Sequence, residues 1–235
     1  MGGIYLAGTY KDFIAARVDL SIGTVEAADS TLKGATDKYA VGRLVRNLSF
    51  KSNIFEIAAA VELHPLFLRD YIETDPPRWS PYVFAGIGWT KFNPKGKIAG
   101  DNSWYELSTL HLEGQGFKEY PNSKPYKKGA LAFPVGIGVR YEAGQLFTFR
   151  FELARHFLAT DYLDDVGDET WIDPATFYSN PSVITAKQAA TAVKFNDRTP
   201  EQYRSVGRPR GNSSSNDAFW NFLFKIGINL NRMKR

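Results

Sequence analysis

From Ile14 to Gly23 the chain alternates without a break: Ile14, Ala16, Val18, Leu20 and Ile22 fall on one side, and Ala15, Arg17, Asp19, Ser21 and Gly23 on the other. A period of two belongs to a β-strand, whose successive side chains leave opposite faces of the sheet. The same alternation returns from Phe55 to His64, from Leu131 to Tyr141, from Phe147 to Leu153 and from Phe222 to Leu230. Tyr82 to Phe92 is apolar on both faces, with Gly86 and Gly88 sharing one of them. Seven strands are predicted, at about Gly3 to Tyr10, Phe13 to Glu26, Asn47 to His64, Pro81 to Phe92, Gly129 to Tyr141, Leu146 to Thr160 and Ala218 to Asn231. The class is all-β, and residues 1–235 read as a single domain with long loops at about 93–128 and 161–217.

Alternation alone does not say which solvent meets the apolar side. In a soluble sheet that side is the core, whereas in a membrane barrel it faces lipid and the polar side lines the lumen. Three features favour the barrel. The strands run to roughly ten residues, the length that crosses a bilayer when tilted. Their polar faces mix Gly and Ala with full charges, as a narrow lumen requires. Those charges also balance, Arg17, Arg140, Arg150 and Lys225 against Asp19, Glu56, Glu62 and Glu152, and neutrality is expected where lone charges are costly. The expectation is a small antiparallel up-and-down barrel, eight-stranded and closed inside by ion pairs, with no open pore. Connections alternate in length: Lys11-Asp12, Leu66 to Ser80 and Glu142 to Gln145 are the shorter ones, and Ala27 to Arg46, Asn93 to Lys128 and Asp161 to Asp217 the longer. Outer-membrane barrels place short turns in the periplasm and long loops outside, and the pattern fits if one strand stands ahead of Met1.

Composition narrows the field. Aromatic residues at 14% and 20 glycines favour strands and tight turns over a helical bundle. No cysteine is present, which removes thiolate chemistry, disulfides and Cys-ligated zinc. No apolar run reaches the roughly 20 residues of a spanning helix. Met1 leads at once into strand-like sequence without a signal-peptide pattern, so an outer-membrane location requires a leader already removed. A net charge of +4 raises nucleic acid as a partner, but the basic residues gather only at Arg204, Arg208, Arg210 and the tail Arg232, Lys234 and Arg235, so none is expected.

Chemistry-bearing clusters are few. Asp161, Asp164, Asp165, Asp168 and Glu169 offer oxygen ligands of the kind Ca²⁺ takes. Their spacing misses the EF-hand pattern, so the primary expectation is a hydrophilic loop and no metal or other cofactor. His64, His111 and His156 are too scattered for a zinc or triad signature, and no G-x-S-x-G elbow accompanies them. No catalytic residue is assigned and no enzymatic activity expected. Gly86-Ile-Gly88 and Gly136-Ile-Gly138 lack the tail of a P-loop and are read as space for bulky neighbours. Trp79, Tyr82, Trp89, Phe92, Tyr141, Phe157, Tyr162, Phe219 and Trp220 lie toward strand ends, where two aromatic girdles would sit. Gly207 to Asn216 reads as a flexible loop with exposed arginines. Periplasmic partners would meet the 66–80 connection, through Arg69, Asp70, Glu73, Asp75 and Arg78. Alternative readings are a soluble lipocalin-like ligand-binding barrel and an outer-membrane barrel enzyme acting on lipid.

An ordered set of motifs adds a resemblance. Arg46-Asn-Leu-Ser-Phe-Lys-Ser-Asn-Ile-Phe-Glu56 is followed by Pro81-Tyr-Val-Phe-Ala-Gly-Ile-Gly88, Phe92-Asn-Pro94 and Glu113-Gly-Gln-Gly116. Lys124-Pro-Tyr126, Pro134-Val-Gly-Ile-Gly-Val139, Thr160-Asp-Tyr-Leu-Asp-Asp-Val166 and Arg210-Gly211 complete the series. In this order the chain resembles PorG, the outer-membrane barrel subunit of the type IX protein secretion system of Bacteroidota. The resemblance implies an anchoring or secretion role, with outer-membrane lipid, a periplasmic ring lipoprotein and that lipoprotein's partner protein as the partners.

Overall fold

The computed structural model describes the chain apart from residues 35, 38–39, 42–43, 45–47, 69–76, 99–100, 168–169, 197, 199–205, 208, 212–215 and 231–235. Its strands are β1 (Gly2–Tyr10), β2 (Ile14–Ala28), β3 (Ser49–Leu63), β4 (Trp79–Lys97), the short β5 (Trp104–Glu106), β6 (Gly129–Ala143), β7 (Phe147–Leu158) and β8 (Ala218–Ile228). The long ones follow one another in sequence order, β1-β2-β3-β4-β6-β7-β8, every pair antiparallel, in an up-and-down sheet that curls into a partial barrel. All seven predicted strands are present. Among the described residues β1 is hydrogen-bonded only to β2 and β8 only to β7, so the barrel is open between them.

Tight turns close one end. Lys11 and Asp12 both take positive φ between Tyr10 and Ile14, and Gly144 takes a φ of 74° between Ala143 and Phe147. Such turns follow the right-handed twist of the strands they join. Long connections emerge at the other end.

Register carries the alternation across the sheet. Leu20, Ile57, Trp89 and Leu131 lie side by side in one row, all exposed on the convex face. Glu62, Phe84, Gly136, Ala154 and Asn221 form a row on the concave face. Because Gly138 opposes Tyr82 and Gly136 opposes Phe84, two rings find room: a Cβ on Gly136 would stand 2.6 Å from the Phe84 ring, and one on Gly138 2.5 Å from Tyr82. The Gly136-Ile-Gly138 segment is thus accounted for by bulky neighbours, whereas Cβ atoms on Gly86 and Gly88 would meet the β3 backbone and the small side chains of Ala60 and Ala58.

The long connections depart from the expectation of plain loops. β4 runs to Lys97, five residues beyond Phe92, and pairs there with β5. Helices α1 (Thr176–Ser179) and α2 (Ala186–Asn196) lie in the connection before β8. Leu107, Leu110, Leu112 and Phe117 from one connection pack on Ile172, Phe177, Ile184, Ala189, Ala192 and Phe195 from the other. A second cluster, including Ile54, Phe92, Ala132, Leu158, Leu163 and Phe219, joins this cap to the barrel mouth.

Candidate functional site: a charged lumen beneath a packed cap

The register places Ser80, Arg140, Arg150 and Lys225 in one inward row, three of them cations on neighbouring strands. Like charges so placed repel, and the compensation comes from other rows. Arg17 on β2 donates to Glu62 at 2.8 Å and to Glu152 at 2.5 Å, and its Nε lies 2.8 Å from Asp19. Arg150 donates to Glu62 at 2.6 Å, and Lys225 bridges Asp19 at 2.7 Å and Glu152 at 2.9 Å. The Tyr82 hydroxyl donates to Glu152 at 2.6 Å, while the Arg17 guanidinium lies over the Phe84 ring at 4.2 Å. Strands β2, β3, β4, β7 and β8 are joined in this way through the barrel interior.

Six of the eight charges expected in the lumen therefore meet in one network: Arg17, Asp19, Glu62, Arg150, Glu152 and Lys225. The other two are also buried but lie apart. Glu56 accepts from Thr90 at 2.6 Å and pairs with His156, whose other ring nitrogen meets Asn221 at 2.9 Å and whose ring stacks on Phe219. Arg140 stands 3.5 Å from Glu142 and lies over the Phe67 ring. Burial of unpaired ions is expensive in a low-dielectric space, and the network sets the carboxylates of Glu62 and Glu152 against the Arg17 guanidinium and that of Glu62 against Arg150.

A Ser-His-Glu chain lies at the edge of this network, and no spacing along the sequence announces it. His64 Nε2 is 3.0 Å from Glu62 and Nδ1 is 2.9 Å from the Ser80 hydroxyl. The connectivity is that of an acyl-transfer triad with the two imidazole nitrogens exchanged. Its setting argues against catalysis: Ser80 is 1% exposed, His64 and Glu62 are fully buried, and Glu62 is held by two arginines. A substrate cannot reach the hydroxyl without displacing side chains, so the chain orients His64 and Glu62 structurally. Nor does the interior resemble that of a lipocalin, since ions occupy the place of an apolar ligand chamber.

The acidic segment after β7 is divided. Asp165 is buried, accepts from Tyr126 at 2.5 Å and lies 3.9 Å from Arg210. Arg210 also donates to the Asp165 carbonyl and stands 3.5 Å from Glu113, which accepts from the Gly167 amide. Burial pushes the Asp165 carboxyl up to about 7, against the pull of Arg210. Asp164 accepts from the Val166 amide and Asp161 lines the barrel mouth. Asp168 and Glu169 lie outside the described residues, and among the described ones no three acidic or histidine side chains are grouped as metal ligands. The expectation of exposed arginines in the 207–216 segment is corrected at Arg210, which is buried because Glu113 and Asp165 wait for it beneath the cap.

The girdle expectation is corrected in part as well. Trp79, Trp89, Phe157 and Trp220 are exposed on the convex face, but Tyr82, Phe92 and Phe219 point inward and are buried. On strands apolar on both faces, hydropathy does not reveal which aromatic ring faces in. Of the partner-facing residues on the β3–β4 connection, Arg69, Asp70, Glu73 and Asp75 lie outside the described residues. Arg78 is exposed, and its carbonyl accepts from the Glu142 amide.

Comparison with family models, with curated proteins and with solved structures finds no match. The reading of function therefore rests on the distribution of apolar and charged side chains, and on the ordered motifs of the sequence.

Proposed function

We propose that this chain is a sealed, non-enzymatic β-barrel of the bacterial outer membrane that anchors a protein secretion machine of the type IX kind. One observation carries the membrane half of this reading. The convex face is a continuous band of large apolar side chains, among them Val18, Ile57, Ile87, Phe133, Ile137, Phe151 and Phe224, all exposed. Arg17, Glu62, Arg150 and Glu152 are buried on the concave side. A soluble protein rarely exposes an apolar patch of more than a few hundred Å², whereas this arrangement is what hydrocarbon outside and a narrow polar lumen inside require. No helix among the described residues is long and apolar enough to cross a membrane, so spanning falls to the strands.

The secretion half rests on the resemblance to PorG and on the asymmetry of the two ends. A compact turn end suits a periplasmic face that meets a ring lipoprotein and its partner protein, and the bulky cap suits the outer surface. Fractionation provides the first test: the protein should enter the outer-membrane fraction and migrate differently on gels before and after boiling. Recovery from the soluble fraction without detergent would reject the membrane reading. Purification of the tagged barrel in mild detergent should then bring periplasmic ring components with it. A barrel that emerges alone would remove the secretion role while leaving the barrel intact.

A further inference from the structure

Val61, Ala85, Val135, Arg155 and Trp220 lie side by side across β3, β4, β6, β7 and β8. All are exposed on the convex face, so a guanidinium stands within the apolar band. Among the outward residues of β6, β7 and β8, Arg155 alone is charged. It comes three residues before β7 ends at Leu158, on the cap side of the band, where the cost of an outward arginine falls toward the interface. The guanidinium lies over the Phe157 ring at 4.7 Å and the Trp220 ring at 5.6 Å. Two ring faces steady the cation but offer it no anionic oxygen. Arg17 and Arg150, facing the lumen, each hold Glu62, whereas among the described residues no carboxylate lies within ion-pairing distance of Arg155.

The surface beside Arg155 is dented. One step toward the turn end, Leu63, Val83, Ile137 and Leu153 form the next outward row. Between the two rows the small Ala85 leaves a shallow groove, which Arg155, Phe157 and Trp220 border on the cap side. Apart from Arg155, every side chain lining it is apolar. The strands beneath are paired on both edges, so no free backbone is available there to orient a peptide. Beyond the groove, the outward charges of β3 and β4 gather at the cap end as Lys51, Lys91, Lys95 and Lys97. Glu26 on β2 answers one of them, pairing with Lys51 at 2.6 Å.

We propose that this groove binds one anionic phospholipid from the leaflet on the cap side, with its phosphate on Arg155 and an acyl chain over Ala85. A guanidinium meets phosphate through two parallel, charge-assisted hydrogen bonds. The chain covers the dent with the kind of surface its walls present, and the lysine rim draws anionic headgroups toward this end of the barrel. The inference rests on the membrane reading and names the lipid chemistry at one place on that surface.

The test uses the full chain folded into nanodiscs of phosphatidylcholine and phosphatidylglycerol in equal amounts. Native mass spectrometry of the released barrel should retain one phosphatidylglycerol per chain in preference to phosphatidylcholine. Arg155→Gln should lower that retention about ten-fold, the effect of losing a charge-assisted contact, and Arg155→Lys should fall between, keeping the charge without the fork. Ala85→Phe fills the groove with the arginine untouched and should also weaken retention. Lys187→Gln removes a cap charge away from the groove and should leave it unchanged. Glycerol phosphate, a headgroup without chains, should not compete. Heat-modifiable migration establishes that each variant is folded. Equal retention by the native chain and Arg155→Gln, or a second copy of the chain covering Arg155 in place of lipid, would overturn the proposal. Oleate retained as well as phosphatidylglycerol would overturn the phosphate assignment. A barrel that folds into phosphatidylcholine yet shows no preference ends this inference and leaves the membrane reading standing, whereas failure to fold into any bilayer ends both.

Discussion

Glu62 is the side chain on which the lumen most depends, since it accepts from both Arg17 and Arg150 and also holds His64. Its replacement by Ala leaves two buried guanidinium groups short of a counter-charge, and the expected loss is about 3–5 kcal/mol in denaturant unfolding from detergent. Ser80→Ala removes one hydroxyl from the far end of the same chain and should cost about 1 kcal/mol or less. Equal losses for the two variants would mean that the network is not organised around Glu62. In the cap, Asp165 provides a pH signature. Burial raises its folded-state pKa to about 7, above the roughly 3.9 of an unfolded aspartate. The folded cap therefore binds the proton more tightly, and the stability this contributes is complete below pH ~4 and is lost as pH rises through about 7. Proteolysis of the cap should accordingly quicken between pH 5 and 8, and Asp165→Asn should flatten that dependence. A rate that falls with rising pH in the native protein would contradict the assignment.

At the scale of the strands, the decisive question is which medium touches the convex face. Ile137 sits near the middle of β6 and is exposed there. In lipid, Ile137→Arg should cost about 2–4 kcal/mol when the barrel is folded into phosphatidylcholine vesicles. On a water-facing sheet the same change should stay within about 0.5 kcal/mol, and a result of that size would remove the membrane reading. The concave face obeys a different constraint, that of space. Gly136→Val places carbon against the Phe84 ring and the Leu153 carbonyl, an overpacking expected to cost about 1–3 kcal/mol. An unchanged unfolding midpoint would show that Phe84 swings aside freely.

For the molecule as a whole, Arg17, Glu62, Tyr82, Phe84, Arg150 and Glu152 occupy the cross-section of the barrel, and the cap packs over one mouth. Planar-bilayer recordings should show no stable, sizeable conductance, and a sustained step would mean that the ion-pair network opens. Much of this design was legible along the chain. Strand positions and the two faces follow from a period of two, because the pleat repeats it regardless of what lies across the sheet, and the charged interior was expected from strand length and the balance of charges on the polar face. The cap was not legible, since Leu107, Leu112 and Phe117 carry no regular period and find Phe177 and Phe195 only across some sixty to ninety residues of chain. Arg210 looked solvated for the same reason: its counter-charges at Glu113 and Asp165 are remote in sequence. By itself, then, the amino-acid order determined which side chains share a face, a local property of extended backbone. Only the tertiary structure decided which charges meet, which aromatic rings turn inward, and that Ser80, His64 and Glu62 join. Each of these depends on register between strands and on the curvature that brings distant rows within hydrogen-bonding reach.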